Sequence, residues 1–258
     1  MKVVILCGGQ GTRIREETEY KPKPMIEIGA RPVLWHIMKI YAHYGFKEFV
    51  LCLGYKGELI RDYFLRYEAM NNDFTIKLGN NNQIQYHEQH DELDYQVTLS
   101  DTGLHSMTGS RVKQIQRYID DDTFMVTYGD GLIDVDLGKL LQFHHEHGKL
   151  ATVTTVRPVQ RFGTVRLNQS GLVERFAEKP QMTDWVSAGY FIFDRRVFDY
   201  IDDDINCVLE REPMERLAKD GQLVAYQHDG FFYAMDTYRE YLYLNKHWDD
   251  GQAQWRVW

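Results

Sequence analysis

Gly8-Gly9-Gln10-Gly11-Thr12-Arg13 follows directly on the apolar run Val3-Val4-Ile5-Leu6-Cys7. Three glycines in four positions allow backbone N–H groups to close on an anion where Cβ atoms would block the approach. Arg13 adds a planar fork for phosphate oxygens. The spacing matches neither a Walker loop nor the Gly-x-Gly-x-x-Gly dinucleotide fingerprint. Lys21-Pro22-Lys23-Pro24-Met25 carries two more ammonium groups on a stretch stiffened by two prolines, which predicts extended chain at both lysines. A basic run is ordinarily a solvated face. A solvated face needs no glycines, however, and Arg13, Arg15, Lys21 and Lys23 belong to a chain whose net charge is −8. The combination reads as a phosphate site. Asp130, between Gly129 and Gly131, could hold a divalent cation or equally cap a turn. No nucleophile elbow, His-Glu-x-x-His or ordered Ser/His or Cys/His signature points to covalent catalysis.

Such groups need rigid strand ends beneath them. The first apolar run is a buried strand. Pro32 at a first helical position, with Leu34, Ile37, Met38 and Tyr41 on one face, predicts a helix stopping at Gly45. Glu48 to Leu53 then reads as a strand and 58–68 as a helix. Phe124 to Tyr128 is a strand, followed by a helix at about 136–147 and a strand from Leu150 to Val156. This alternation predicts an α/β fold, a Rossmann-like mixed and mostly parallel sheet with helices on both faces. In such sheets ligands bind beyond the carboxyl ends of the strands, where both the glycine loop and Asp130 fall. The polar stretch 72–100 reads as an excursion at the sheet edge. Later come strands at Thr164 to Leu167 and Ala188 to Phe193, helices at Pro213 to Lys219 and Tyr238 to Asp249, and a tail holding Trp255 and Trp258. No linker divides residues 1–258, which read as a single domain.

The chain has 258 residues, 43% of them hydrophobic, enough for a shared core. Its acidic balance argues against nucleic acid as a partner. Cys7, Cys52 and Cys207 lack metal or disulfide spacing and read as buried thiols of a reducing cytoplasm. No leader peptide or membrane span is expected. His144, His145 and His147 read as a solvated helix face. Trp248, Trp255 and Trp258 could form a subunit contact or pack the tail onto its own core.

The opening resembles the signature of the sugar-phosphate nucleotidyltransferases, and further matches run in order along the chain. They are Leu34-Trp35-His36-Ile37-Met38-Lys39, Gly54-Tyr55-Lys56-Gly57, Asp101-Thr102-Gly103, Met107-Thr108-Gly109-Ser110-Arg111, Thr127-Tyr128-Gly129-Asp130-Gly131, Arg161-Phe162-Gly163, Glu178-Lys179-Pro180 and Met235-Asp236-Thr237. The likeness is sharpest, over Thr102 to Arg111, to the branch that transfers a cytidylyl group from CTP to glucose 1-phosphate. It implies the nucleotide-diphospho-sugar transferase fold, with a nucleotide half over about 1–135 and a sugar-phosphate half over about 136–258. It also implies a Mg²⁺ cofactor, a cytoplasmic setting and a homo-oligomer. Arg13 and Lys23 would be catalytic, and Lys21 a solvated lysine. Leu6, Cys7, Gly8, Gly9, Gln10, Gly11, Thr12, Ser106, Arg111 and Gly129 would surround the nucleotide, although Arg111 alone could be an ordinary helix-start arginine. Gly163, Glu178, Lys179 and Ser187 would face the sugar phosphate, and Asp130 and Asp236 would hold the metal. The sugar half departs from the family pattern at Val159-Gln160-Arg161-Phe162-Gly163-Thr164-Val165-Arg166, and at Ser187-Ala188-Gly189-Tyr190, where an Asn-Gly-Gly-Phe turn is expected. Another phosphorylated acceptor, UTP or dTTP as donor, or a non-catalytic nucleotide-sugar-binding regulator stand as the alternatives.

Overall fold

The computed structural model describes residues 1–11, 20–79, 83–87, 90–160 and 162–258. Strand β1 (Lys2–Leu6) is continuously apolar because both its faces are covered. Val3 and Ile5 enter one core, Val4 and Leu6 the other. Helix α1 (Val33–His43) begins at Val33, so Pro32 stands just before its first turn and not in it, and Gly45 with φ 86° carries the chain away from its end. Strand β2 (Glu48–Leu53) lies parallel to β1 with Val50 beside Val4. The helix expected over 58–68 is divided, since α2 (Gly57–Leu65) stops at Arg66 and α3 (Tyr67–Asn71) begins afresh. After the break Tyr67 stacks on Phe64 with ring centroids 6.1 Å apart, and its hydroxyl accepts from the Trp35 indole N–H at 3.1 Å. The expected excursion over 72–100 contains a hairpin of β3 (Phe74–Lys77) and β4 (Gln83–Tyr86). Its last residues belong instead to β5 (Gln96–Asp101), which pairs parallel with β2 at the edge of the main sheet. An edge strand with one residue fully buried, Ser100, lacks the apolar run that marked its neighbours.

Helix α4 (Thr108–Gln114), β6 (Thr123–Tyr128), β7 (Gly131–Ile133), α5 (Leu137–His147) and β8 (Ala151–Val156) follow. A second hairpin, β9 (Thr164–Leu167) with β10 (Val173–Ala177), leaves the sheet before β11 (Val186–Asp194) returns to it. Helix α6 (Glu212–Lys219), β12 (Leu223–Gln227), β13 (Phe232–Ala234) and α7 (Tyr238–Asp249) complete the order. The main sheet has seven strands in the order β12, β8, β11, β6, β1, β2, β5. Only β11 runs against the rest, antiparallel to both β6 and β8. The mixed, mostly parallel sheet is as expected, with helices packed on both faces. The carboxyl ends of β1, β2, β5, β6 and β8 therefore share one edge with the amino end of β11. Among the described residues no helix is long and apolar enough to cross a membrane.

The expectation of a solvated histidine face fails at His144. Leu137, Leu140 and His144 form the buried stripe of α5. His144 Nδ1 lies 2.8 Å from the Thr152 hydroxyl, and His147 Nε2 meets the same oxygen at 2.7 Å. The tail packs on its own chain, with Trp255 fully buried. The Trp255 indole N–H donates to His36 Nδ1 at 3.4 Å, while His36 Nε2 donates to the Ile28 carbonyl at 3.0 Å. Both ring nitrogens are thereby engaged by a neutral imidazole. Burial pushes His36 and His144 each down to about 4. Folded values below the ordinary 6.5 mean that the stability tied to the neutral rings is complete above 6.5 and is lost as pH falls toward 4. Carboxylates held low, such as Asp194 beside Arg196, act only below their ordinary 3.8. Unfolding free energies from urea titration are therefore expected to stay level at neutral pH and to fall between pH 6.5 and 4, by about 2–4 kcal/mol in all. A level profile across that window would contradict the arrangement.

Candidate active site

Beyond Leu6 the chain turns through Cys7 and Gly8, held by Cys7 N–H donating to Cys52 O at 3.0 Å and Tyr55 N–H to Gly8 O at 3.1 Å. Gly129 N–H donates to Leu6 O at 3.2 Å, so the ends of β1 and β6 are tied together. Gly129 has to be glycine here, because a Cβ would lie 2.7 Å from Pro24 Cγ and 3.1 Å from Leu6 O. Gly8 is buried, whereas Gly9 and Gln10 are exposed, and Gly11 takes the left-handed φ of 60°. Thr12 and Arg13 lie outside the described residues.

A cavity of about 310 Å³ opens at this edge. Of the residues expected around the nucleotide, Leu6, Cys7, Gly8, Gly9, Gly11, Ser106, Arg111 and Gly129 line it, together with Lys23 and Asp130. Pro24, Met107, Thr108 and Tyr128 line it as well, and residue-type reasoning did not single them out. All four lie inside the motif segments, which is the signal the sequence offers for them. The Cys7 thiol is raised well above its ordinary value by burial, and Cys52 behind it is raised to about 12, so neither is a thiolate nucleophile at neutral pH.

Lys23 does not sit in extended chain. It opens a 3₁₀ turn, Lys23–Met25, with Pro24 as the second residue, still within the first turn where its missing N–H is tolerated. The turn carries the Lys23 ammonium between two carboxylates, bonding Asp130 Oδ2 and, at 2.7 Å, Asp236 Oδ1. Burial lowers the ammonium's affinity for its proton, but the two carboxylates outweigh burial and hold its pKa above the ordinary value. Asp130 stands just past β6. Asp236 reaches it through the β7–β13 ribbon, where Gly131 pairs with Ala234 and Met235 N–H donates to Asp130 O at 3.0 Å. Glu240 then accepts from the Asp236 and Thr237 N–H groups at 2.6 and 2.7 Å, fixing Asp236 at the start of α7. Two carboxylates at a phosphate cavity suit Mg²⁺, which takes one or two carboxylates and completes its shell with phosphate oxygens and water. Among the described residues no group of three His, Cys, Asp or Glu converges. Lys21 is apart from this cluster, exposed and 2.7 Å from Glu27.

Arg111 is almost wholly buried, and its guanidinium serves the backbone. Nη1 donates to Leu53 O at 3.0 Å, Thr102 Oγ1 at 2.7 Å and Gly103 O at 2.8 Å. Nη2 donates to Gly8 O at 3.1 Å. One side chain thus joins the segments that follow β1, β2 and β5. A Cβ on Gly8 or Gly54 would collide with it. Ser106 donates to Thr102 O and accepts from Gln114 Nε2 at 3.3 Å.

The four residues expected at the sugar phosphate do not line this cavity. Ser187, exposed, stands beside Thr155 at the amino end of β11 and accepts from Gly189 N–H at 3.1 Å. Gly189, with φ 73°, lies against the ring of Tyr128, so this end of β11 adjoins the cavity wall. Glu178 and Lys179 are exposed and 3.5 Å apart, just beyond the β9–β10 hairpin. A Cβ at Gly163 would lie 2.9 Å from Glu178 Oε2, so the glycine lets that carboxylate lie against the backbone.

A mostly parallel sheet with a glycine loop, an ammonium and two carboxylates at its carboxyl edge defines a nucleotidyltransferase. Residues 2–250 match the nucleotidyl transferase family, and the chain belongs to it. It is similar over its full length, and theirs, to the probable glucose-1-phosphate cytidylyltransferase of Bacillus subtilis and to the glucose-1-phosphate cytidylyltransferase of Salmonella typhi, at 45% identity in each case. Among solved structures, HddC from Yersinia pseudotuberculosis has the same fold with a TM-score of 0.71 at 22% identity, over 96% of this chain and 99% of that one. A UDP-glucose pyrophosphorylase complexed with UDP-glucose follows at 0.69 and 16%, over 97% and 98%.

Proposed function

We propose that the protein transfers a cytidylyl group from CTP to α-D-glucose 1-phosphate, giving CDP-glucose and pyrophosphate. The observation that carries the chemistry is the Lys23 ammonium held between Asp130 and Asp236 at a cavity that the glycine loop helps to line. The choice of substrates rests on full-length identity to proteins described by that reaction, which runs through the sugar half as well as the nucleotide half. A sugar phosphate is mostly ionised at neutral pH, since its second pKa is about 6, so its oxygen attacks the α-phosphorus without a general base. What remains is to align two anions and offset the charge gathering on departing pyrophosphate.

Lys23 is held charged and bridges the α-phosphate and the incoming sugar phosphate. The turn from Gly8 to Gly11, beyond the Cys7 N–H that Cys52 O takes, would bring the backbone against the triphosphate. By the family likeness Arg13 would take the β- and γ-phosphates and Thr12 would lie beside the nucleotide. Asp130 and Asp236 would hold Mg²⁺, which when bound neutralises phosphate charge. Ser106, Arg111 and Gly129 shape the base side, and Gly163, Glu178, Lys179 and Ser187 the sugar side. Pyrophosphate release measured with CTP, UTP, dTTP, ATP and GTP against a panel of sugar phosphates is expected to show turnover with CTP and glucose 1-phosphate above all other pairs. Preference for another base or sugar would replace the substrate assignment, and no turnover with any pair would refute the reaction.

A further inference from the structure

The chain leaves the main sheet after Val156 and re-enters it at Val186, and the excursion between carries Gly163, Glu178 and Lys179. Its two arms are stitched at the base. Val159 and Gln181 form an isolated antiparallel bridge, Gln160 N–H donates to Pro180 O at 2.8 Å, and Met182 N–H donates to Pro158 O at 2.9 Å. Lys179 lies next to this stitching with a left-handed φ of 46°. A residue other than glycine keeps such a conformation only where its surroundings over-determine it.

One side chain links the base of the excursion to the body. Arg157 is the first residue beyond β8 and Trp185 the last before β11. The Arg157 guanidinium lies over the Trp185 ring, 4.6 Å from its centroid. Its Nη2 donates to Asp229, just past β12, at 2.7 Å. Its carbonyl accepts from Gln181 Nε2 at 3.1 Å, on the returning arm. Arg157 therefore clamps the outgoing arm to the returning arm by a stacked face and a carbonyl, and to a neighbouring strand end by an ion pair. Lysine could keep the ion pair and not the planar stack.

We propose that Arg157, with Trp185 as its platform, is a positioning residue for sugar-phosphate binding. It touches neither Glu178 nor Lys179. It fixes the direction in which their segment leaves the sheet, and with it the reach of the Lys179 ammonium. The inference rests on the proposed role of Glu178 and Lys179.

The test is steady-state kinetics of Arg157→Ala, Arg157→Lys, Trp185→Ala and Trp185→Phe, with Lys179→Ala alongside and thermal unfolding as a check on the fold. Arg157→Ala and Trp185→Ala are expected to raise the KM for glucose 1-phosphate roughly tenfold while the KM for CTP stays within about twofold. Trp185→Phe, which keeps an aromatic face, is expected to recover most of the loss, and Arg157→Lys little of it. A merely structural role would move both KM values together, and that outcome would overturn the proposal. If Lys179→Ala raises the sugar-phosphate KM and Arg157→Ala does not, the clamp is refuted while the sugar-site assignment stands. If neither does, the sugar-site assignment falls and the clamp with it.

Discussion

Asp130→Asn is expected to abolish turnover while leaving the fold intact. The substitution keeps the size of the side chain and an oxygen facing Lys23, but it removes one of the two negative charges that converge on that ammonium. Two consequences follow for the transition state. Lys23 loses the partner that helps hold it over the cavity, and a Mg²⁺ bound through these carboxylates loses half of its protein charge. Removing one preorganised electrostatic group typically costs a factor on the order of 10²–10³ in kcat. With the lysine affected, and the metal as well on the role proposed for these carboxylates, the loss is expected at or above the upper end. Stability should change little, because Lys23 keeps Asp236 as its ion-pair partner and the amide oxygen can still accept from the ammonium. Pyrophosphate release together with a melting curve separates the two effects. Near-normal turnover in a folded variant would show that the carboxylate takes no part in the reaction.

The parts of this site that could be read from the chain are those in which residue type and backbone demand coincide. β1 is legible because a strand covered on both faces has to be apolar throughout, Gly8 because the turn leaves no room for a Cβ beside Arg111, and Gly11 because its φ is left-handed. Asp130 is legible as a strand-end carboxylate. Asp236 is not, since it arrives through a three-residue ribbon whose pairing with Gly131 to Ile133 has no compositional mark, and only the family likeness singled it out. β5 was lost in a polar stretch because an edge strand needs little apolar surface. His144 was misread because the stripe it completes is counted from Leu137 and Leu140, not from its histidine neighbours. Lys23 lines the cavity, but in a 3₁₀ turn and not the extended chain its prolines suggest, because prolines that disfavour a long helix still permit a single turn. For Arg111 the sequence offered two roles, ligand contact or helix-start arginine, and its actual partners were legible to neither, being mostly backbone carbonyls up to 103 residues away.

Those partners make Arg111→Leu the second substitution of large effect. Leucine fills part of the space and donates nothing, so the bonds to Leu53 O, Thr102 Oγ1, Gly103 O and Gly8 O are all lost. Gly8 O keeps the Tyr55 N–H, and Leu53 O keeps Thr102 N–H at 3.0 Å, which limits the damage to the fold. Charge-assisted bonds in a buried setting are worth more than neutral ones, so a loss of about 2–4 kcal/mol in unfolding free energy is expected. The larger effect falls on the cavity. With the tie gone, the segments after β1, β2 and β5 keep only their backbone bonds to one another, and Gly8 and Ser106, which both line the cavity, lose the side chain that helps fix their separation. The KM for CTP is expected to rise by roughly one to two orders of magnitude, as small misplacements of positioning groups do, with a smaller change for glucose 1-phosphate. Arg111→Lys should rescue little, since a single ammonium cannot serve carbonyls on three segments at once. Urea unfolding and CTP kinetics on the same variants decide between two roles for this arginine. Loss of stability and of CTP affinity together supports the tie, whereas an unchanged unfolding midpoint with a raised CTP KM would mean that Arg111 acts on the nucleotide alone.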